Sequence, residues 1–410
     1  MDGLLVPDDA LLGHIFPDNQ PSSFSIILNN FDKCIFKAVL PNALSNGQRV
    51  CAVRLEALNG KSTRFAMVAA MQEIAATYIP GIVPETFQVG KTVDENGREF
   101  EFSVIEFIEG TTLEEVWEHM IDEDQKSVTA AIVEAQSMLQ QVRLSDAKVQ
   151  TILHRALDEG DDEVLKKAAL GGPWTGFLDN GPALLSAIKE GRKLDLPFYT
   201  VDPIADPKGV VIRSNFEDFG STIVSDSDME QWPKEAVFCH NDLSPRNLIL
   251  QSSTDASGNT RYKLASIIDW ELAGFYPPSY QLSLQDTYLG TGNRHLLFYL
   301  LLKKGLKDIA APPTPSQIAL LRAMELIFES RQQWLFERNN VPANMRKKFS
   351  EVLRLYRDED PYVGLNCKTE GGPVPAFSFE DFDKLENECI AECKAKRKAK
   401  AKQLAQEKLA

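Results

Sequence analysis

Two neighbouring segments carry the residues that decide the fold: VFCHNDLSPRNLIL at positions 237–250 and SIIDWELAGF at positions 266–275. The first contains Asp242 and Asn247 within the spacing H-x-D-x-x-x-x-N, and the second places Asp269 directly after an apolar pair. The apolar runs beside these polar residues predict short strands. The pattern therefore predicts a rigid loop region that holds two carboxylates and one amide close together.

Phosphoryl transfer is the chemistry that these residue types suit. The reaction needs little covalent chemistry from the protein, but it needs a positioned acceptor hydroxyl and neutralised phosphate charge. Asp242 can orient the hydroxyl or accept its proton, while Asn247 and Asp269 offer the hard oxygen ligands that Mg²⁺ prefers. Each residue alone is more often a cap or turn residue, so the hypothesis depends on all three occurring beside apolar strands.

These two segments closely resemble the paired motif of the aminoglycoside phosphotransferase family, which is distantly similar to choline kinases and protein kinases. The Ser-Pro-Arg-Asn version of the motif resembles family members from filamentous fungi. The resemblance implies that Asp242 is the catalytic base and that Asn247 and Asp269 bind Mg²⁺. It also implies supporting or substrate-contacting roles for four further residues, which are His240, Arg246, Trp270 and Glu271.

The same resemblance implies an α+β, two-lobed protein-kinase-like fold. A small β-rich N-terminal lobe would precede a larger, mostly helical C-terminal lobe. We expect a nucleotide-binding lobe at residues 1–108, a catalytic and substrate lobe at 109–379, and a basic helical tail at 380–410. A cleft at the hinge between two lobes is a usual place for a ligand.

Hydropathy patterns along the chain favour this order of elements. Short β-rich runs predict strands at residues 34–40, 49–55, 85–91 and 100–106. Helical periodicity predicts helices at 62–78, from 113 to about 194, at 283–304 with Gly305 as the stop, and at 315–356. The stretch 195–228 is rich in Asp, Pro and Gly and predicts irregular structure.

The strand RVCAVRL offers a candidate phosphate contact. It resembles the family strand whose cation reaches the α- and β-phosphates, and the corresponding residue is Arg54, where relatives usually have Lys. Arg presents a fork of donors and Lys a point charge, so the exchange is not neutral. A solvent-facing strand arginine is the alternative. The next helix should supply a carboxylate partner and contains Glu73, although Met67 falls nearer the expected place.

The segment EFSVIEFIEGTTLEEVW at 101–117 is similar to the family's hinge, in which a strand leads into a Gly-x-x-Leu helix. The resemblance implies that backbone groups of Glu106, Phe107 and Ile108 meet the edge of the adenine ring. A plain strand–turn–helix connection is the alternative interpretation.

Composition narrows the classes of partner. A net charge of −15 and a pI near 5.0 disfavour nucleic acid as a ligand. No apolar run reaches the 18 or so residues of a membrane span, and no basic, apolar leader opens the chain. The six cysteines show no disulfide framework, which favours a cytoplasmic protein with reduced thiols.

We therefore expect an ATP- and Mg²⁺-dependent phosphotransferase that transfers the γ-phosphate to a hydroxyl of a small-molecule acceptor. A catalytically weak pseudokinase that binds nucleotide or a partner is the main rival, favoured by Arg54 and Met67. A protein kinase is less favoured, because the sequence contains no Ala-Pro-Glu activation-segment motif. The acidic stretch 121–125 is interpreted as a solvated helix end, or alternatively as a cleft wall that attracts a cationic substrate.

Overall fold

The N-terminal lobe is built on a five-stranded antiparallel sheet in the order β1-β2-β3-β5-β4. The computed structural model describes residues 4–58, 65–157, 162–310, 312–369 and 372–407. The strands of this sheet are β1 (Ser23–Asn29), β2 (Lys33–Val39), β3 (Val50–Ala57), β4 (Thr86–Val93) and β5 (Glu99–Glu106).

The two faces of this sheet have different roles because side chains alternate along each strand. On β3, Val53 and Leu55 are fully buried against helix α1 (Asp9–Ile15), which covers the outer face of the sheet. Ala52 and Arg54 lie on the opposite, half-buried face. That opposite face looks towards the C-terminal lobe, since Arg54 forms ion pairs with residues of that lobe.

Helix α2 (Phe65–Tyr78) joins the two lobes by packing between the sheet and the helices of the C-terminal lobe. Its fully buried residues Met71, Ile74 and Ala75 belong to the main core of that lobe. The helix was predicted to begin at residue 62, but 62–64 lie outside the described residues.

The C-terminal lobe is mostly helical, which confirms the predicted α+β, two-lobed protein-kinase-like fold. Its helices are α3 (Leu113–Val116), α4 (Asp122–Leu139), α5 (Ala147–Ala156), α6 (Asp162–Lys167), α7 (Gly181–Gly191), α8 (Asp226–Glu235), α9 (Pro278–Tyr288), α10 (Leu296–Ile309), α11 (Pro315–Glu337), α12 (Val341–Val352) and α13 (Phe379–Glu407). Its strands are β6 (Thr111–Thr112), β7 (Leu170–Gly172), β8 (Gly176–Leu178), β9 (Tyr199–Ala205), β10 (Lys208–Ser214), β11 (Ser221–Ser225), β12 (Val237–Cys239), β13 (Leu248–Thr254), β14 (Thr260–Ile267), β15 (Gly274–Tyr276), β16 (Leu355–Arg357) and β17 (Leu365–Cys367).

Two small sheets bring the motif segments together. Strand β12 pairs with β15 and β13 pairs with β14, with Cys239 opposite Gly274 and Leu248 opposite Ile267. The loops 240–247 and 268–273 therefore leave these strands at the same edge. Strand β6, which follows the hinge, adds to the second sheet by pairing with β13 in the order β14-β13-β6.

The prediction of irregular structure at 195–228 is wrong, because β9, β10 and β11 form a three-stranded antiparallel sheet there. The residues that suggested irregularity form its turns: a cis peptide bond joins Asp206 to Pro207, and Gly220 has a φ of 64° before β11. The apolar residues Val211 and Ile212 of β10 are buried against the C-terminal lobe.

Predicted helix limits also need correction. Gly305 does not end a helix but lies inside α10, where an added Cβ would come within 2.4 Å of Val133 on α4. This glycine therefore serves close packing of two helices. The predicted helix 315–356 is divided into α11 and α12 at Asn339, whose φ is 56°. Strands β7 and β8 interrupt the long helical region predicted before residue 194.

The last helix, α13, packs on α12 through its first half. Leu385, Cys389 and Cys393 are buried there, and all six cysteines of the chain are free and buried. No helix in the described part of the chain is long and apolar enough to span a membrane.

Candidate active site

The loop that carries Asp242 is fixed from beneath by His240. The amide N–H of Asp242 donates to Nδ1 of His240 (3.1 Å), and Nε2 of the ring donates to the carbonyl of Ile268 (3.0 Å). The ring also lies edge-on to Trp270, 4.5 Å between centroids. Burial lowers the pKa of His240 to about 4, against a smaller opposing effect of Asp242, so the ring is neutral near pH 7. His240 therefore orients the loop and joins it to the segment before Asp269.

Residues outside the motif hold the same loop from the side. The side-chain oxygen of Gln281 accepts from the backbone N–H groups of His240 and Asn241, at 2.9 and 3.1 Å. Asn241 has a φ of 69°, and the hydroxyl of Tyr288 donates to its carbonyl (2.8 Å). Gln281 and Tyr288 come from α9, and no sequence signal marked them, since their relation to the loop exists only in the folded chain.

Hydrogen bonds of Asn247 attach it to Asp242 and to Ile268, the residue before Asp269. The Asn247 side-chain N–H donates to the carbonyl of Asp242 (3.0 Å), and the Asn247 carbonyl accepts from Ile268 (2.9 Å). The amide oxygen of Asn247 has no hydrogen-bond donor among the described residues. Asp269 adopts the left-handed conformation, with φ 66° and ψ 64°, which is uncommon for a residue other than glycine. Such strain is often kept at functional sites.

Negative charge is concentrated around Asp269. Burial raises the pKa of its carboxyl, and the nearby charge of Glu271 raises it further, with a smaller contribution from Asp242. The acids are therefore close enough to repel one another, as expected for groups that share a cation. The carboxylate of Asp269 and the free amide oxygen of Asn247 are hard donors that fit Mg²⁺. Within the described ranges, no three His, Cys, Asp or Glu side chains form a metal-binding cluster.

Arg54 connects the N-terminal sheet to these acids. Its Nη1 contacts Oδ1 of Asp269 at 3.2 Å, and its Nη2 contacts Oε2 of Glu271 and Oε1 of Glu56, each at 2.5 Å. Burial opposes the charge of this guanidinium, but the attraction of the three carboxylates outweighs it and raises the pKa of Arg54. The arginine fork thus bridges the cleft between the lobes.

The prediction that a carboxylate of α2 pairs with Arg54 is wrong. Glu73 forms an ion pair with Arg155 of α5 instead, and Met67 is buried in the core. The guanidinium of Arg54 lies 5.2 Å from the ring centroid of Phe65, the first described residue of α2. The carboxylate partner is instead Glu56, which follows Arg54 by two residues on β3. The pattern R-x-E places both side chains on one face of the strand, and this pattern in the sequence could have indicated the pair.

Two further cations lie beside the acids. Nη2 of Arg246 contacts Oδ2 of Asp242 at 3.2 Å. Lys33, at the start of β2, contacts Glu56 at 3.4 Å. Burial opposes ionisation of Glu271, but Arg54 first, and Lys33 and Arg246 more weakly, lower its pKa. Lys33 was not predicted as a site residue, although it is the first residue of strand β2 and the residue after it is buried.

The hinge residues lie at the end of β5. The Glu106 carboxylate accepts from the side chain of Gln48 at 2.8 Å, and Lys37 lies 4.2 Å above the ring centroid of Phe107. The backbone N–H groups of Phe107 and Ile108 form no backbone hydrogen bond with the described residues. These polar backbone groups are therefore available to a ligand in the cleft.

A model of the phosphotransferase enzyme family, APH, matches residues 55–284. The match covers more than half of the chain and includes both motif segments. The chain belongs to this family of phosphotransferases, as the motif predicted. Arg54 lies immediately before the first matched residue.

Comparison with solved structures finds several related enzymes at low similarity. Aminoglycoside phosphotransferase APH(4)-Ia is 14% identical, with 83% of this chain and 95% of that chain covered and a TM-score of 0.45. The structure of APH(2")-IIia with GDP and kanamycin is 14% identical, with coverages of 84% and 95% and a TM-score of 0.41. The amicoumacin kinase hAmiN with AMP-PNP and Ca²⁺ is 11% identical, with coverages of 81% and 88% and a TM-score of 0.39. A comparison with curated proteins finds no match.

Proposed function

We propose that this protein is an ATP- and Mg²⁺-dependent phosphotransferase that phosphorylates a hydroxyl group of a small molecule. The observation that carries the proposal is the convergence of Asp242, Asn247 and Asp269 at one edge of the two small sheets. Hydrogen bonds link Asn247 to Asp242 and to the residue before Asp269. An acid and an amide that share a cation beside a second acid are the parts that phosphoryl transfer needs.

The nucleotide would bind along the cleft face of the N-terminal sheet. Ile35 and Ala52 lie on this face beside Arg54, because Ile35 is opposite Arg54 in the register of β2 and β3. These apolar side chains suit an adenine ring, whose edge would meet the free N–H groups of residues 107–108. Lys33 and Arg54 then lie on the side where the phosphates would extend. An acidic chain needs such local cations to hold ATP.

Each site residue then has a role. Asn247 and Asp269 would hold Mg²⁺, which supplies charge neutralisation at the β- and γ-phosphates. Arg54 can turn its fork from Asp269 towards the phosphates, while Glu56 and Glu271 keep the side chain in position. Asp242 orients the acceptor hydroxyl and takes its proton.

The acceptor would lie in the C-terminal lobe on the open side of Asp242. Arg246 contacts this carboxylate and more than half of its side chain is exposed, so it can move to let a hydroxyl approach. Trp270, which is fully buried, and His240 act from beneath the loop and would not contact the acceptor.

Two measurements test this function. Thermal unfolding with ATP, with and without Mg²⁺, reports the nucleotide site, and ADP formation over a panel of hydroxyl compounds reports transfer. We expect a magnesium-dependent rise in the unfolding midpoint that disappears in Asp269→Ala. Asp242→Asn should retain this rise but form no ADP. Asp308→Asn, at an exposed position near the end of α10, is the charge-matched control and should behave as wild type.

The outcomes also separate the enzyme from the pseudokinase. A midpoint that responds to ATP equally with and without the metal, and no ADP with any acceptor, would favour a nucleotide-binding regulator. ADP formation that survives in Asp242→Asn would refute the assigned role of that carboxylate.

A further inference from the structure

Two arginines of the C-terminal lobe form no ion pair with a carboxylate of the described residues. Arg192 follows the end of α7 and Arg331 lies on α11, and both side chains are only partly exposed. Neither guanidinium forms a hydrogen bond or an ion pair within the described ranges, and Nε of Arg331 is fully buried without an acceptor. Arg192 lies over an aromatic ring, with its Cζ 5.0 Å from the ring centroid of Phe328. A buried donor without an acceptor is unusual in a folded protein.

Arg192 and Arg331 come together at Phe328 of α11, because Arg192 lies over its ring and Arg331 follows it by three residues on the same face of the helix. Arg192 is close enough to Tyr280 and Tyr288 of α9 for its charge to act on both phenols. The hydroxyl of Tyr288 donates to the carbonyl of Asn241, the residue before Asp242, and the Asp242 charge acts on the same phenol. Tyr288 thus contacts the catalytic loop and also lies within range of the charge of Arg192.

Within the described ranges, no ion pair compensates the positive charge of these two arginines. Burial lowers the pKa of Arg192 and the neighbouring charge of Arg331 lowers it further, against opposing effects of Tyr280, Tyr288 and Glu329; burial alone lowers the pKa of Arg331. Glu329, whose charge acts on Arg192, already accepts from Arg346 (3.1 Å) and Arg357 (2.9 Å) through one oxygen. In contrast, the other arginines at the cleft, Arg54 and Arg246, contact carboxylates. A bound anion would supply what Arg192 and Arg331 lack.

We infer that the acceptor of this phosphotransferase is an anion, with a carboxylate or a phosphate group that binds between Arg192 and Arg331. Its hydroxyl would reach Asp242. Planar guanidinium groups suit the paired oxygens of such groups. This inference rests on the proposed function, because it names the substrate class of the same site.

The structure removes the observation that suggested a cationic acceptor. The acidic stretch 121–125 includes the first turn of α4, where Asp124 is buried and accepts from Arg261 and from the N–H of Tyr262 on β14. Its charge is used to attach α4 to the β13–β14 hairpin rather than to face the acceptor.

Direct binding of inorganic sulfate tests the arginine pair without any catalytic step. The midpoint of thermal unfolding would be measured in sodium sulfate and in sodium chloride of equal ionic strength, without ATP or Mg²⁺. We expect sulfate to stabilise the wild-type protein, and Arg192→Gln and Arg331→Gln to weaken its binding roughly ten- to hundredfold, as removal of a charge-assisted hydrogen bond does. Lys193→Gln removes an exposed charge beside Arg192 and should bind sulfate as wild type does.

ADP formation with matched acceptors tests the substrate class. Pairs such as gluconate and gluconamide, or a hydroxy acid and its methyl ester, differ only in the anionic group. We expect turnover of acids and not of their amides or esters, a higher KM for the acid in Arg192→Gln with an unchanged KM for ATP, and partial recovery in Arg192→Lys. That recovery would exclude simple misfolding of the glutamine variant.

Three results would overturn the inference. Equal sulfate binding by wild type and both glutamine variants would show that the anion binds elsewhere, and no binding at all would show that the pair holds no anion. Preferred turnover of neutral or cationic acceptors would reject the substrate class while leaving the phosphotransferase function intact. Failure of the proposed function would instead appear as no ADP formation, with sulfate binding still measurable.

Discussion

Replacement of Arg54 by glutamine removes the side chain that bridges the two lobes. In the wild-type protein its fork contacts Glu56, Asp269 and Glu271. Glutamine is shorter and uncharged, so the three carboxylates would be left close together without their main counter-charge. The variant should be less stable, because an acid left unpaired in a partly buried place carries a desolvation penalty.

The magnitude follows from the burial of these groups. Loss of one partner of a fully buried ion pair costs about 3–5 kcal/mol. Arg54 is 17% exposed, but its partners are 19%, 25% and 36% exposed, and solvent screens part of this cost. We therefore expect a loss of about 2 kcal/mol. With an unfolding entropy of about 2.1 cal/mol/K per residue, this loss lowers the unfolding midpoint of a 410-residue chain by about 2 °C.

The pH dependence of the loss is a second signature. Attraction by Arg54 lowers the pKa of Glu271 in the folded state. A lowered carboxyl pKa stabilises the fold above the unfolded value of about 4.3, and this stabilisation disappears as the pH falls through the folded pKa. The difference between wild type and Arg54→Gln should therefore be largest near pH 7 and should narrow below about pH 4.

Scanning calorimetry at several pH values, with and without Mg²⁺, measures both signatures. Because the variant leaves the acids unpaired, Mg²⁺ alone should raise its midpoint more than that of wild type. Arg98→Gln is the control, since Arg98 also pairs with a carboxylate, Asp32, but on the N-terminal lobe away from the cleft. Equal midpoints for Arg54→Gln and wild type, or equal responses to Mg²⁺, would refute the bridging role.

Three further sets of variants test separate parts of the structure. Burial lowers the pKa of both His240 and His295 to about 4, so below pH 6.5 the unfolded state binds more protons and the protein loses stability as the pH decreases. Replacing each histidine by glutamine should reduce that loss between pH 7 and pH 5 by up to about 2 kcal/mol, measured by urea unfolding. An unchanged pH dependence of stability would contradict the buried neutral rings. Gly305→Ala should destabilise by about 1–3 kcal/mol because its Cβ would meet Val133, and Val133→Ala should recover part of the loss in the double mutant. Gly364→Ala places a Cβ within 2.8 Å of Asp286 and Tyr299 at a φ of 75°, so thermal unfolding should show a loss of about 2–4 kcal/mol, and a wild-type midpoint would reject the close packing.

Local patterns were sufficient for much of the fold. Strands β2 and β3 alternate between buried and half-buried residues, and this period was visible in the sequence. The strand β1 was not predicted, because its apolar residues are exposed at the edge of the sheet and form no such alternation. Strands β9 to β11 were missed because their short lengths and frequent turns imitate irregular structure.

For the candidate site too, sequence patterns predicted some of the residues and missed others. Asp242, Asn247 and Asp269 lie in two compact segments, so spacing alone suggested them before any geometry was known. The partner of Arg54 was predicted on α2, but the structure supplies it from Glu56 and from Glu271, which lies 217 residues away along the chain. Arg192 and Arg331 carried no signal at all, since a missing partner can be recognised only when the surroundings of a side chain are known.

The pairing of β6 with β13 restricts how this protein can open and close. The short strand after the hinge is hydrogen-bonded to the strand that follows Asn247, with Thr112 opposite Ile249. Gly110 lies so close to the carbonyl of Leu250 that a Cβ there would come within 2.4 Å. The connection is thus anchored on the C-terminal lobe from Gly110 onward, so at this crossing any rotation between the lobes falls on the few residues before it. Any such rotation would swing the backbone of residues 106–108 while the acidic centre stays still.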